Sequence, residues 1–319
     1  MGGSPRRRAG SVRRTTSVDI LRPNGPGGVL VLAGAGRDLA TDPDGTPREV
    51  ATGSTEVAID YVGDRSITSI SAAPSVAGLE DLVGVRAGSG FRRQLAEVGP
   101  ELVASGSLVH LLLDEVTPTV LISGSSLARE GLVRVAADGD RSRLPFGICA
   151  GWQPGGAMEQ AVVETGVPLL GWGPPAPDLV DDDPLAWHPM ADLPATSLRR
   201  RRRIDLWRDG SEVLADVRYR DSYWEHDGTE TVVHEYGVEA AFDADAWTVT
   251  AASAVPGPLP APECPAAASR ASDLVGSSID EVRPVVRDRF VGADSCTHLN
   301  DVLRSLADAR ALWLASGLR

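Results

Sequence analysis

Two short stretches hold the side chains best suited to chemistry: His234-Glu235-Tyr236 and Cys296-Thr297-His298-Leu299-Asn300-Asp301. In an extended chain, side chains alternate between faces. His234 and Tyr236 then share a face with Val232 and Val238, while Glu235 and Glu239 point the other way. A neutral imidazole relays protons and a phenol polarises an oxygen, so the pair suits general acid/base work. The competing reading is a buried, hydrogen-bonded pair that only supports the fold. In the second stretch, Asp294 or Ser295 would cap a helix whose first turn holds Cys296. The helix field there favours thiolate, although a free Cys is more often a small packing residue. His298 and Asp301, three apart, could touch. Cys264, Cys296, His234 and His298 also offer Zn-type ligands, but Cys-x-His is not a paired-ligand spacing, so no metal is assigned. Tyr223, Trp224 and His226 precede an Asp227-Gly228 turn and are core or an aromatic lip over a pocket.

These residues need elements to hold them. Val213 to Tyr219 alternates as a half-buried strand, and Thr231 to Phe242 and Trp247 to Ala254 continue an antiparallel meander. After Pro265 the period becomes helical. Ala266 to Leu274 and Ile279 to Phe290 read as helices, and Leu299, Val302, Leu303, Leu306 and Trp313 give one apolar face of a last helix. Strands first and helices after is an α+β pattern.

The pattern occurs twice. Ser11-Val12-Arg13-Arg14 before Val18-Asp19-Ile20 matches Ser197-Leu198-Arg199-Arg200 before Ile204-Asp205-Leu206. Arg37-Asp38 before Asp44-Gly45-Thr46 matches Arg220-Asp221 before Asp227-Gly228-Thr229. Asp81-Leu82-Val83-Gly84 matches Asp273-Leu274-Val275-Gly276, and His110-Leu111 matches His298-Leu299. The expected organisation is a flexible tail over 1–10, a first unit over 11–123, a Pro-rich connector over 124–196 and a second unit over 197–319. The connector carries a short helix from Ala157 to Thr165, and the units are related by a pseudo-two-fold axis. The first unit has Ala51, Thr52 and Gly53 where the second has His234, Glu235 and Tyr236. It has Leu108, Val109, Leu112 and Leu113 in place of Cys296, Thr297, Asn300 and Asp301, and keeps only His110. One working site and one degenerate one is the expectation.

Composition narrows the chemistry. The 319 residues carry a formal net charge of -13, which disfavours nucleic acid as a partner. All 31 basic residues are Arg, so a Schiff-base lysine, a pyridoxal-phosphate anchor and a phosphate-loop lysine are excluded. Arg199 to Arg203 reads as a solvated strand entry paired with carboxylates. Three cysteines, an odd number, make no disulfide framework and suit a cytoplasmic setting. No apolar run is long enough to span a membrane. Gly34-x-Gly36 lacks a dinucleotide-binding pattern, and Gly124-Ser125-Ser126-Leu127-Ala128 lacks the second Gly of a nucleophile elbow and reads as a Ser-rich loop.

Arg200-x-Arg202-x-Ile204-Asp205, Val233-His234-Glu235-Tyr236, Pro262-Glu263-Cys264-Pro265, Leu274-Val275-Gly276 and Cys296-Thr297-His298-Leu299-Asn300-Asp301 resemble the bacterial family called Domain of Unknown Function 2889. The first unit resembles it more distantly, through Leu82-Val83-Gly84 and Gly90-Phe91-Arg92-Arg93. The resemblance implies a fold unit and no reaction. The residues themselves point to a non-redox acid/base enzyme (lyase, isomerase or hydrolase) without a cofactor, acting on a small, partly apolar or aromatic molecule. His234, Tyr236, Cys296 and His298 are the expected catalytic residues. Tyr223, Trp224, Asn300 and Asp301 are the expected substrate-binding residues. The alternatives are a non-catalytic ligand-binding or assembly protein, homo-oligomeric in one version, or a Zn-binding protein.

Overall fold

A single eight-stranded antiparallel sheet organises the chain, and α-helices cover one of its faces. The computed structural model describes residues 4–132, 146–169, 173–179 and 183–318. The strands are β1 (Ser11–Leu21), β2 (Leu30–Thr41), β3 (Pro47–Ile59), β4 (Ile67–Ala73), β5 (Leu198–Asp209), β6 (Glu212–Trp224), β7 (Glu230–Asp243) and β8 (Val249–Pro256). Their order is β4-β3-β2-β1-β5-β6-β7-β8. The sheet therefore reads the same outward from the central β1/β5 pair in both directions. The first helical group is α1 (Phe91–Val98), α2 (Pro100–Ser105), α3 (Leu108–Asp114) and α4 (Val116–Arg129). Then come α5 (Ala157–Thr165), α6 (Val282–Arg289), α7 (Thr297–Ser305) and α8 (Ala309–Ser316). The fold is α+β.

Several local expectations are corrected. Gly124 to Ala128 is not a loop but the last turns of α4. Ala266 to Leu274 lies in a 3₁₀ helix, Cys264–Leu274. Pro284 lacks an N–H, so the helix containing it has Pro in its first turn, at Val282–Arg289. A 3₁₀ turn with a Ser278/Glu281 capping box leads into it. The last helix is broken by a 3₁₀ turn at Leu306–Asp308, where Asp308 is fully buried beside Arg14 and Arg283. The acidic residues Asp181 and Asp182 lie outside the described residues.

Burial dictates the centre of the sheet. On the helix face of the β1/β5 pair, Val12 meets Leu206 at one end and Ile20 meets Leu198 at the other. These ends enter two different apolar clusters, and each cluster draws residues from both halves of the chain. Between the ends stand Arg14, Thr16, Arg200 and Arg202, all buried. Buried charges require partners. Arg14 pairs side-on with Asp38, its cross-strand neighbour, at 2.7 and 2.8 Å. Arg200 pairs in the same way with its own neighbour Asp221, at 2.8 and 3.0 Å. The first turns of the helices supply the remaining anions: Glu115, before α4, takes Arg200 at 2.7 Å and Arg202 at 2.6 Å.

The five-arginine run is thus not solvated. All five residues are buried in a central strand. Arg199, Arg201 and Arg203 face the opposite side, where main chain covers them. Residues 173–179 and 183–196 and the segment before β1 run across this back face, and their carbonyls accept from the sheet. Arg37 donates to Leu185 and Trp187, Arg13 to Pro5 and Ala186, Arg199 to Ala191, and Arg220 to Pro177. His188 sits between the hydroxyls of Thr15 and Ser17, 2.9 Å from each.

Two outcomes are expected. Asp38→Ala leaves the Arg14 cation buried and should cost about 3–5 kcal/mol in urea unfolding, with Asp38→Asn costing less. Burial, reinforced by the Arg37 and Arg199 cations, pushes His188 down to about 4, against 6.5 in the open chain. The unfolded state therefore takes up a proton first as pH falls. The contribution of His188 is complete above pH 6.5 and is lost at up to about 1.4 kcal/mol per pH unit between 6.5 and 4. Urea midpoints of His188→Gln should fall less than wild type over that window.

Candidate functional site

The site grows out of a β-bulge. Asp221 pairs with His234, but Ser222 pairs with Val232, so Val233 is an extra residue on β7. A bulge re-aims its neighbours. Val233, not Val232, therefore joins the helix-side core with His234, and Val232 turns to the back face, its N–H bonded to Pro174. This corrects the expectation that Val232 shares the His234 face. The β2/β3 pair has the same irregularity beside Asp38, but there the residue opposite is Ala51.

His234 meets His298 from the start of α7. The rings stack, with centroids 3.7 Å apart and planes 20° from parallel. His234 Nδ1 lies 3.4 Å from Asp221 Oδ2, and Tyr219 donates to that same oxygen at 2.5 Å. Asp221 is fully buried, yet the Arg200 guanidinium and the His234 ring hold its carboxyl far below the usual carboxylate range despite the cost of burial. His298 moves the other way. Burial first, then His234 and Arg200, push it well below 6.5, so its ring is neutral near pH 7. Its Nε2 has no hydrogen-bond partner among the described residues.

The ligand atoms of Asp221, His234 and His298 lie within 4.8 Å of one another, so a metal needs testing here. The set fits a divalent cation poorly. Imidazole lone pairs lie in the ring plane, and nearly parallel stacked rings do not converge on one ion. The carboxylate already accepts from Arg200 and Tyr219, and the Arg200 cation would repel the ion.

The other expected site residues fall elsewhere. Tyr236 is buried, with its hydroxyl 3.4 Å from the Cys264 carbonyl and close to the Cys296 thiol. Cys149 joins them, so all three cysteines of the chain gather around one phenol. Gly151 permits this, since a Cβ there would stand 2.7 Å from Cys264 Sγ. Cys296 is the N-cap residue of α7 rather than part of its first turn. Burial raises its thiol and pushes Cys264 up to about 12, so the expected thiolate character is reversed. Tyr223 is core, its hydroxyl donating to Glu130 at 2.7 Å. Trp224 stacks on Arg199 and Arg201. Asn300 and Asp301 line an open cleft of about 1100 Å³ between the two helical groups. Asp301 pairs there with Arg92 at 2.8 Å and lies 3.5 Å from Arg200, rather than touching His298. Sequence reasoning missed Asp221, Arg200 and Tyr219 as members of the site. The repeated Arg-Asp dipeptide at 37–38 and 220–221 was the signal for the first.

Residues 198–311 match the model of a family described as a protein of unknown function (DUF2889). The matched span begins with β5, ends in α8 and holds the whole Asp221–His234–His298 arrangement. No curated protein and no solved structure matches the chain. Among the described residues, no helix is long and apolar enough to cross a membrane.

With His298 held neutral by its surroundings, its ring resonances should show no titration between pH 7.5 and 6 in NMR spectra. In Arg200→Gln one of the opposing charges is gone, and an upward shift of the His298 midpoint is expected.

Proposed function

We propose that the chain is a non-redox acid/base enzyme whose proton-handling centre is His234 with His298. The stacked ring pair beside a clamped carboxylate carries this reading. Asp221 Oδ2 stands 3.4 Å from His234 Nδ1, close enough to stabilise a protonated ring, although no hydrogen bond joins them among the described residues. Two stacked rings cannot both hold a positive charge cheaply, so a proton gained by one disfavours protonation of the other. A base that accepts a proton from substrate carbon or oxygen and returns it at a neighbouring atom suits an isomerase or lyase. Tyr236 and Cys296 are left out of this centre, because they face the thiol group around Cys264. In the N-terminal half, Arg14 and Asp38 repeat the clamp, but Ala51 stands where a ring would be needed. That contrast supports an internal duplication with one working half.

Exchange in D₂O tests the reading without a known substrate. An enzyme that moves protons at carbon labels its substrate even when net turnover is small. Incubated with a metabolite extract in D₂O, wild type should raise one or a few compounds by one mass unit. His234→Gln should lower that rate by about 10²-fold or more, at an unchanged melting temperature. Equal labelling by the variant, or no labelled compound with wild type, would sink the proposal and leave a non-catalytic binding role.

A further inference from the structure

The large cleft between the helical groups inverts the charge of the chain. Acidic residues outnumber basic ones 44 to 31 over the sequence, yet seven cleft-lining residues are Arg and two are Asp. The inner arginines have carboxylates behind them that are shared rather than owned. Asp114 serves both Arg92, at 3.0 Å, and Arg304, at 3.1 Å. Asp301 serves Arg92 and lies within 3.5 Å of Arg200. Arg304 leaves its Nε without a partner among the described residues. Nearer the mouth, the contact of Arg93 with a carboxylate among the described residues is one of 3.7 Å to Glu97, both side chains being largely exposed. Burial opposes charge on Asp114, but Arg92 and Arg304 hold it ionised far below its usual range.

A second feature of the cleft is independent of charge. Leu121, Ile148 and Val291 are 47%, 43% and 60% exposed, among the few large apolar side chains on the surface, and all three line this cleft. Exposed apolar residues gathered in one concavity mark a binding site. Arginine forks beside them select an acid group, because each guanidinium offers paired N–H donors to a carboxylate or phosphate.

We propose that this cleft binds an organic anion with an apolar body, its acid group held by Arg93 and Arg304 and its body laid on Leu121, Ile148 and Val291. The acid is a carboxylate or a phosphate monoester, which share this chemistry. The inference goes beyond the histidine centre and does not need it: binding without deuterium labelling, or labelling without binding, separates the two.

The probe is 8-anilinonaphthalene-1-sulfonate, itself an apolar anion, titrated into the full chain and then displaced. Saturable binding of one equivalent is expected, weakening as salt rises. Displacement by laurate alone identifies a carboxylate ligand, and by phenyl phosphate alone a phosphate ester. Displacement by both leaves the shared acid chemistry. Arg93→Glu/Arg304→Gln should weaken the probe about tenfold. Leu121→Asp, which alters an exposed position and spares every ion pair, should weaken it similarly, and it carries the test alone where Arg304→Gln lowers the melting temperature. Non-saturable fluorescence, failure of both displacers, or unchanged affinity in Leu121→Asp and in a folded double variant would overturn the proposal.

Discussion

Everything in this fold depends on satisfying guanidinium groups placed where most proteins would put leucine. The middle of the β1/β5 pair is buried on both faces, and arginines occupy it on both. Such charges contribute little net stability, but an unpaired one is very costly. The consequence is specification. Arg14 and Arg200 each find their carboxylate directly across the strand pair, so a one-residue slip would move both arginines to the wrong face. Glu115 ties the start of α4 to β5, and Asp308 ties the turn before α8 to β1. Helices from one half are therefore anchored on the strand of the other.

The histidine centre is built on the same interaction. Arg200 and Tyr219 hold Asp221 ionised, 3.4 Å from His234 Nδ1. The bulge at Val233 then turns His234 toward that carboxylate. The equivalent clamp in the other half has its bulge and its carboxylate but no ring. The two clamps differ by one side chain opposite the aspartate, Ala51 in one and His234 in the other.

Much of this was legible in the sequence, for specific reasons. Strands β6, β7 and β8 alternate apolar and polar residues and are separated by turn signals, so period two finds them. His234 and His298 were identifiable because both are chemically distinctive and absent or isolated in the first half. The arginine run was misread because periodicity assigns charge to solvent, and nothing local reveals that a connector will cover it. Val232 was placed on the wrong face because a bulge adds one residue without leaving a sequence mark. Cys296 was expected to be ionised from its place at a helix start, but desolvation among two other thiols outweighs the helix field.

The covering of the back face has a consequence for how this surface tolerates change. The arginines of the sheet grip the crossing segment through its peptide oxygens at residues 177, 185, 186, 187 and 191, not through its side chains. Every amino acid supplies the same oxygen. Replacing letters at its exposed positions, unlike the buried Ala186, Trp187 and His188, should therefore be nearly silent, whereas shortening or lengthening it would put each carbonyl out of step with its guanidinium. Spacing, more than wording, is what heredity has to preserve there.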